Sequence, residues 1–401
     1  MKKNIDYIIF ILLLAFTTFE YFFREDKLFI ILGLLSVVIA LYRGNLRKYT
    51  APSTIVLSVI LLFWTTVQAA FTMNTYFTHI LSLGITLLGA ISIATIVKER
   101  FIKVFVTVMY YIAIIATAIY LLCIVPSIKT FIIDVVCPNF TSLNIEAAVF
   151  EGGGKNFIIH NFASDTILEA TGLMRNCGPF WEPGMFAVFL NIALFLNVIV
   201  EKQKLRFCNF ILIIALITTF STGGFVSALL VLLSYVIVLR KNLFVSLAGI
   251  VVFAFIAYYV MNLEYVGEKT LNQIENTEDG TDISRFSAFI TQSKMIRNSP
   301  ILGGERIEDY LTGETKTLAS GTLLPFVRYG IPVGSYLMIT ILLSFIRLVK
   351  SKGGGVVRGI LLFATILLLS FSQTILLSSW MMVFMFVGLN SSNNKYYGRQ
   401  I

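Results

Sequence analysis

The sequence predicts an all-α polytopic membrane protein, with about twelve transmembrane helices, the shorter of them crossing with flanking adjustment, and two long outer loops. Three observations predict it. Hydrophobic residues make up 57% of the 401 residues and charged residues only 13%, at a mean hydropathy of +0.85, a balance foreign to water-soluble domains. The apolar residues come in runs long enough to cross a hydrocarbon core. The short loops on one side are consistently basic, the mark of a cytoplasmic face.

Five runs come first: Ile5–Phe23, Leu28–Tyr42, Pro52–Phe71, Phe77–Val97 and Val104–Val125. Lys2 and Lys3 give the first the look of a signal peptide, but no small-residue cleavage site follows it, so it is read as a span. Residues 126–182, from Pro126 to Glu182, form the first long loop. Four runs occupy 183–260: Pro183–Val200, Phe207–Phe220, Phe225–Leu239 and Leu243–Val260. The second long loop covers Met261 to Ser320, and residues 321–401 hold Thr322–Ile346, Gly359–Phe371, Thr374–Leu389 and a short tail. Ser370–Gln373 reads equally as a kink or as a turn between the last two runs.

With both termini cytoplasmic, every short inner loop is basic: Arg43, Arg47 and Lys48; Lys98, Arg100 and Lys103; Lys202, Lys204 and Arg206; Arg240 and Lys241; Arg347 to Arg358. Short outer loops carry only Arg24 and Lys27. The net charge of +9 is largely this orientation signal, so no nucleic-acid partner is expected. Cys123 and Cys208 lie in or beside spans and read as packing residues. Cys137 and Cys177 share the first loop, compatible with a disulfide or with two thiols.

Carboxylates are nearly absent from the runs, which argues against an ion-coupled carrier. Thr65, Thr66 and Gln68 in the third run suit hydrogen bonds between helices. Gly152–Lys155 lacks the spacing of a phosphate-binding P-loop and reads as a turn. Glu275, Glu278, Asp279 and Asp282 match no metal loop and read as a solvated acidic turn. His160 stands without a ligand pattern, so neither metal nor cofactor is expected.

The chemistry is expected at a few charges in the two loops. Arg175 opens Arg175-Asn-Cys-Gly-Pro-Phe-Trp-Glu182-Pro-Gly184, a stiff re-entry into the sixth run, with Trp181 as an interface residue. Pro183 suits the first turn of a helix, which puts Glu182 at its N-cap. There Glu182 reads either as a charge complementing the helix dipole or as a carboxylate base for a sugar hydroxyl. Arg175 suits bidentate phosphate binding. In the second loop Ser284 caps a helix to about Asn298, with Phe286, Phe289, Ile290 and Ile296 on one face and Pro300 and Gly303-Gly304 ending it. Arg285 falls in its first turn, where free backbone N–H groups and a guanidinium together suit an anion. Arg328, a few residues into the tenth run, either snorkels to the interface or faces a cavity. Arg306, Lys294 and Arg297 are weaker candidates.

Four motifs carry a family resemblance: Arg175…Gly178-Pro-Phe-Trp-Glu182-Pro, Thr219-Phe-Ser-Thr-Gly-Gly224, Ser284-Arg285 with Asn298-Ser-Pro-Ile-Leu-Gly-Gly304, and Tyr329-Gly-Ile-Pro-Val-Gly334. In order and topology the chain resembles the O-antigen polymerase and ligase group of bacterial inner-membrane proteins, called Wzy-type when they polymerise. The resemblance implies a GT-C-like membrane glycosyltransferase that joins undecaprenyl-pyrophosphate-linked repeat units at the periplasmic face. It also implies Arg175 and Arg285 on the donor pyrophosphate, Glu182 as candidate base, and a chain-length regulator as partner. The ligase branch tends to place a histidine-asparagine pair where this chain has Ala319-Ser-Gly-Thr322, which favours polymerase over ligase. A lipid-linked oligosaccharide flippase is the rival from outside the enzymes, and charge-poor spans disfavour it.

Overall fold

The structure is a computed structural model that describes residues 2–22, 26–72, 77–140, 156–162, 174–201, 207–239, 285–304 and 320–391, with five isolated helical positions between 244 and 258. Apart from those five positions the ninth expected run lies outside the described residues, as do the acidic turn, Gly152–Lys155, Ser284 and Arg306. Among the described residues five helices are long and apolar enough to cross a membrane, and six shorter apolar ones accompany them. The chain is therefore an all-α protein of the membrane class, divided into two compact units.

The first unit takes Met1–Phe29 and Arg100–Val266. Its described helices are α1 (Lys2–Thr18), α6 (Phe101–Leu122), α7 (Pro126–Phe131), α8 (Pro183–Leu194), α9 (Phe207–Thr218) and α10 (Thr222–Leu239), with a small hairpin, β1 (Asn156–Phe157) and β2 (His160–Asn161). Helix α8 is the most enclosed of the candidate spans and continues as a π-helical turn over Phe195–Val200. Buried rings form a train along it. Phe180 lies 5.4 Å from Phe186 and 5.0 Å from Phe189, and Phe105 lies 6.1 Å from Phe189 and 5.5 Å from Phe10. Such offset and tilted pairs add to the apolar burial of each ring. At the opposite end of α1, Asp6 is buried and bonds the Arg100 guanidinium at 2.5 Å.

The first run was expected to continue to Phe23, yet α1 stops at Thr18 and a 3₁₀ turn, Glu20–Phe22, follows. The cause lies in the first loop. Phe19 bridges Phe180, and the Glu20 N–H donates to the Pro179 carbonyl at 2.9 Å, so that backbone serves the loop instead of the helix.

The second unit takes Ile30–Glu99 and Gly267–Ile401. It holds most of α2 (Asp26–Tyr42), then α3 (Asn45–Tyr49), α4 (Pro52–Thr72), α5 (Phe77–Val97), α11 (Arg285–Asn298), α12 (Leu324–Ser351), α13 (Val356–Ser372) and α14 (Ser379–Asn390). Helix α14 packs between α5 and α12. The Ser344 hydroxyl donates to the Met385 carbonyl at 2.7 Å, an approach that Gly388 permits. Asn390 Oδ1 accepts from the Ala51 N–H and the Thr54 hydroxyl, tying the end of α14 to the start of α4. The ambiguity at Ser370–Gln373 resolves as a turn: α13 ends at Ser372 and Gln373 is extended.

Helix α12 is two segments. Gly330 leaves helical geometry at φ 73° and ψ 171°, and Pro332 follows. Against this break sits the Asn298–Gly304 turn. Ile331 N–H donates to the Pro300 carbonyl at 2.8 Å and Gly304 N–H to the Val327 carbonyl at 3.0 Å. A side chain on Gly330 would strike the Ile301 carbonyl, and one on Gly303 the backbone of Gly330. Two separate motifs thus meet backbone to backbone. Gly330→Ala combines this clash with a left-handed φ, and is expected to destabilise the second unit by at least about 2 kcal/mol, read as a fall in detergent thermal unfolding.

Candidate functional site

In the first unit the Arg175–Glu182 segment is a turn held from both flanks. On one flank Asn176, fully buried, donates its amide to the Thr218 hydroxyl at 2.9 Å and accepts from the Gly178 N–H at 3.0 Å. Its own N–H bonds the Thr218 carbonyl at 2.9 Å. On the other flank Asn161 donates to the Phe180 and Trp181 carbonyls at 3.1 and 3.0 Å, while its N–H takes the Gly178 carbonyl at 2.7 Å. Gly178 carries a φ of 53°, which permits this tight corner.

Arg175 leans on the same scaffold. Its Nε donates to the Thr219 carbonyl at 3.2 Å, and the side chain is half-buried. The terminal nitrogens of the guanidinium have no partner among the described residues. Two residues on, Ser221 caps α10, its hydroxyl accepting from Gly224 N–H at 3.2 Å. The first turn of a helix leaves backbone N–H groups without intrahelical partners, so Thr222 and Gly223 offer donors close in sequence to the carbonyl that holds Arg175. Phe220 between them has a φ of 44°, a left-handed value rare outside glycine and a mark of stored backbone strain.

Glu182 takes the N-cap of α8 in extended geometry, as the sequence suggests. Its carbonyl accepts from Met185 and Phe186, yet its carboxylate makes no capping hydrogen bond. The α8 and α10 starts are packed closely: a side chain at Gly224 would meet Ala187, and Asn191 bonds both the Ala187 and Gly224 carbonyls. Trp181 is half-buried beside them.

His160 sits in β2 next to Asn161, 1% exposed, with its ring 4.7 Å from that of Phe162. Burial pushes its pKa down to about 3, so it is a neutral packing group at physiological pH.

The second unit holds the other candidates. Arg285 opens α11, which packs on α12 through Ala288, Met295 and Val327. Gln292, fully buried, donates to the Ser320 carbonyl, while its own amide oxygen and the Ser320 hydroxyl are buried without a hydrogen-bond partner. Arg328 is exposed in the short first segment of α12, and its backbone carbonyl accepts from Gln68. Gln68 also bonds the Leu302 carbonyl, and Trp64 Nε1 reaches that carbonyl at 3.3 Å. Lys294 and Arg297 lie on α11. Arg175 and Glu182 therefore share one turn, and Arg285 and Arg328 share one helix pair.

Residues 207–313 match the O-antigen ligase family model. The match agrees with the O-antigen polymerase and ligase group that the motifs resemble. It includes Thr219–Gly224, Arg285 and Asn298–Gly304, while Arg175–Glu182 and Tyr329–Gly334 lie outside it. No curated protein and no solved structure matches the chain.

The residues that sequence reasoning missed are amides. Asn161, Asn176 and Gln292 are each buried, and no local sequence pattern sets them apart from exposed amides. Asn161→Ala strips the Phe180 and Trp181 carbonyls of a donor, and is expected to cost about 1–3 kcal/mol in thermal or chemical unfolding. His160 binds a proton in the unfolded chain below about 6.5 and in the folded chain only below about 3. Between those values the unfolded state holds more protons, so stability falls as pH falls. His160→Phe is expected to flatten that slope, by up to about 1.4 kcal/mol per pH unit, in melting curves taken from pH 7 to pH 4.

Proposed function

We propose that the protein is a membrane glycosyltransferase that polymerises undecaprenyl-pyrophosphate-linked oligosaccharide repeat units for a bacterial surface polysaccharide. The protein works at the outer face of the inner membrane, with both termini in the cytoplasm. The observation that carries this reading is the turn that holds Arg175 and Glu182 together beside the α10 N-terminus, within a chain matching the O-antigen ligase model.

In the proposed reaction a hydroxyl of the incoming repeat unit attacks the anomeric carbon of the growing glycan. The bond from that carbon to the pyrophosphate oxygen breaks, and undecaprenyl pyrophosphate leaves with the bonding electrons. Arg175, with the Thr222 and Gly223 N–H groups, offers positive charge where the leaving group gains negative charge. Arg285, at a helix start of its own, offers the same to a pyrophosphate. Glu182 accepts the proton of the attacking hydroxyl, its carboxylate being uncommitted to the helix it begins. Arg328, Arg306 and Trp181 are assigned to binding of the lipid-linked substrate. A chain-length regulator is the proposed protein partner.

The second reading is an O-antigen ligase, which the description of the matching family favours. Ala319-Ser-Gly-Thr322, without histidine, weighs toward polymerisation. Purified protein given synthetic undecaprenyl-pyrophosphate repeat units should make a ladder of lengths on a gel. Arg175→Ala and Arg285→Ala should each lower that activity at least about 100-fold, the scale of losing one charge stabiliser. Transfer to a different acceptor with no ladder would favour the ligase. Neither product, with lipid-linked glycan moved between leaflets, would favour a flippase.

A further inference from the structure

None of the four cysteines is in a disulfide in this structure, but they are not equivalent. Cys123 and Cys137, 3% and 1% exposed, belong to one apolar cluster with Phe162, packed by Ile119, Ile132, Ile133, Phe157 and Met174. Cys123 follows the last residue of α6, its N–H fixed on the Ile119 carbonyl at 2.9 Å. Cys137 begins the 3₁₀ turn Cys137–Asn139, just after the π turn Ile132–Val136. Cys177 lies outside that cluster, its Sγ 4.0 Å from the Arg175 carbonyl, and Cys208 is on α9. By sequence Cys137 and Cys177 were open to pairing or to remaining two thiols. The cluster offers Cys137 another partner, Cys123.

We propose that Cys123 and Cys137 form a disulfide in the mature protein, which staples the outer end of α6 to the loop that holds the candidate site. The inference rests on the outer placement of this loop, since disulfides persist in oxidising compartments. The bond forms by exchange with a protein disulfide oxidant. One cysteine thiolate attacks the oxidant disulfide and displaces one of its thiolates, and the second cysteine then resolves the mixed disulfide. The two cysteines give up two protons and two electrons, and the oxidant becomes a dithiol. Burial, with the Cys123 thiol nearby, pushes the Cys137 thiol up to about 11. Thiolate is then scarce at neutral pH, so exchange belongs to the stage before the cluster closes, and the finished bond resists reductant until the loop opens.

The consequence reaches the site through packing. Phe162 follows Asn161, and Met174 precedes Arg175, so two members of the cluster flank the clamped turn. A staple beneath them restrains the loop that positions Arg175 and Glu182.

The test is peptide mapping of membrane-extracted protein, its thiols alkylated under denaturing conditions before digestion. The expected result is a Cys123–Cys137 cross-linked peptide that disappears after reduction in denaturant, with Cys177 and Cys208 alkylated. Cys137→Ser should lower the melting temperature by at least about 5 °C, and dithiothreitol should reproduce that fall only after unfolding. Outer placement is read separately with a maleimide that does not cross the inner membrane, on exposed Ser127→Cys in a Cys123→Ser, Cys137→Ser background. Label on that residue with all four native thiols alkylated, or a Cys137–Cys177 peptide, overturns the disulfide and leaves the proposed function standing. No label on it overturns the outer placement, and the proposed function with it.

Discussion

A buried backbone carbonyl has no water to bond, so any stretch that leaves helical or strand geometry must find donors within the chain. Nearly everything specific about the two candidate regions follows from how that demand is met. In the first unit, Asn161 and Asn176 supply the donors and acceptors for a turn that neither helix nor sheet ladder serves. In the second, Gln68 and Trp64 do so for the Asn298–Gly304 turn and the break in α12. Buried amides here do the work that ladders do elsewhere, and they fix the irregular backbone on which Arg175, Glu182 and Arg328 are mounted.

Glycine is the second device. At Gly303 and Gly330 two chain segments approach without side chains between them, so a turn can hydrogen-bond directly into a broken helix. At Gly178 a left-handed corner reverses the chain under the rings of Phe186 and its neighbours. Apolar packing then locks what hydrogen bonding has shaped. The buried phenylalanines of α6 and α8 leave the turn above them no alternative seat.

The charges follow a complementary logic. Among the described residues the buried carboxylate, Asp6, is bonded to Arg100. Arg175 is anchored by one nitrogen to a backbone carbonyl, and its terminal nitrogens meet no partner among the described residues. His160, held neutral by burial, contributes packing and no charge.

Much of this was legible in the residues. Hydrophobic runs gave helices because an apolar stretch of span length has one low-energy form in lipid, and Phe77–Val97 matches its helix at both ends. Pro183 after Glu182 announced the start of α8, since proline tolerates the first turn and little else. Of the four motifs, Thr219–Gly224 and Asn298–Gly304 fall within the residues that match the family model. Only the tertiary structure decided that α1 yields its last turn to the first loop, that Gly330 divides α12, and that Cys137 keeps company with Cys123. It alone revealed that Asn161 and Asn176 hold the Arg175 turn. Those outcomes depend on partners far apart in the chain, and a buried amide or thiol carries no local pattern that names its partner.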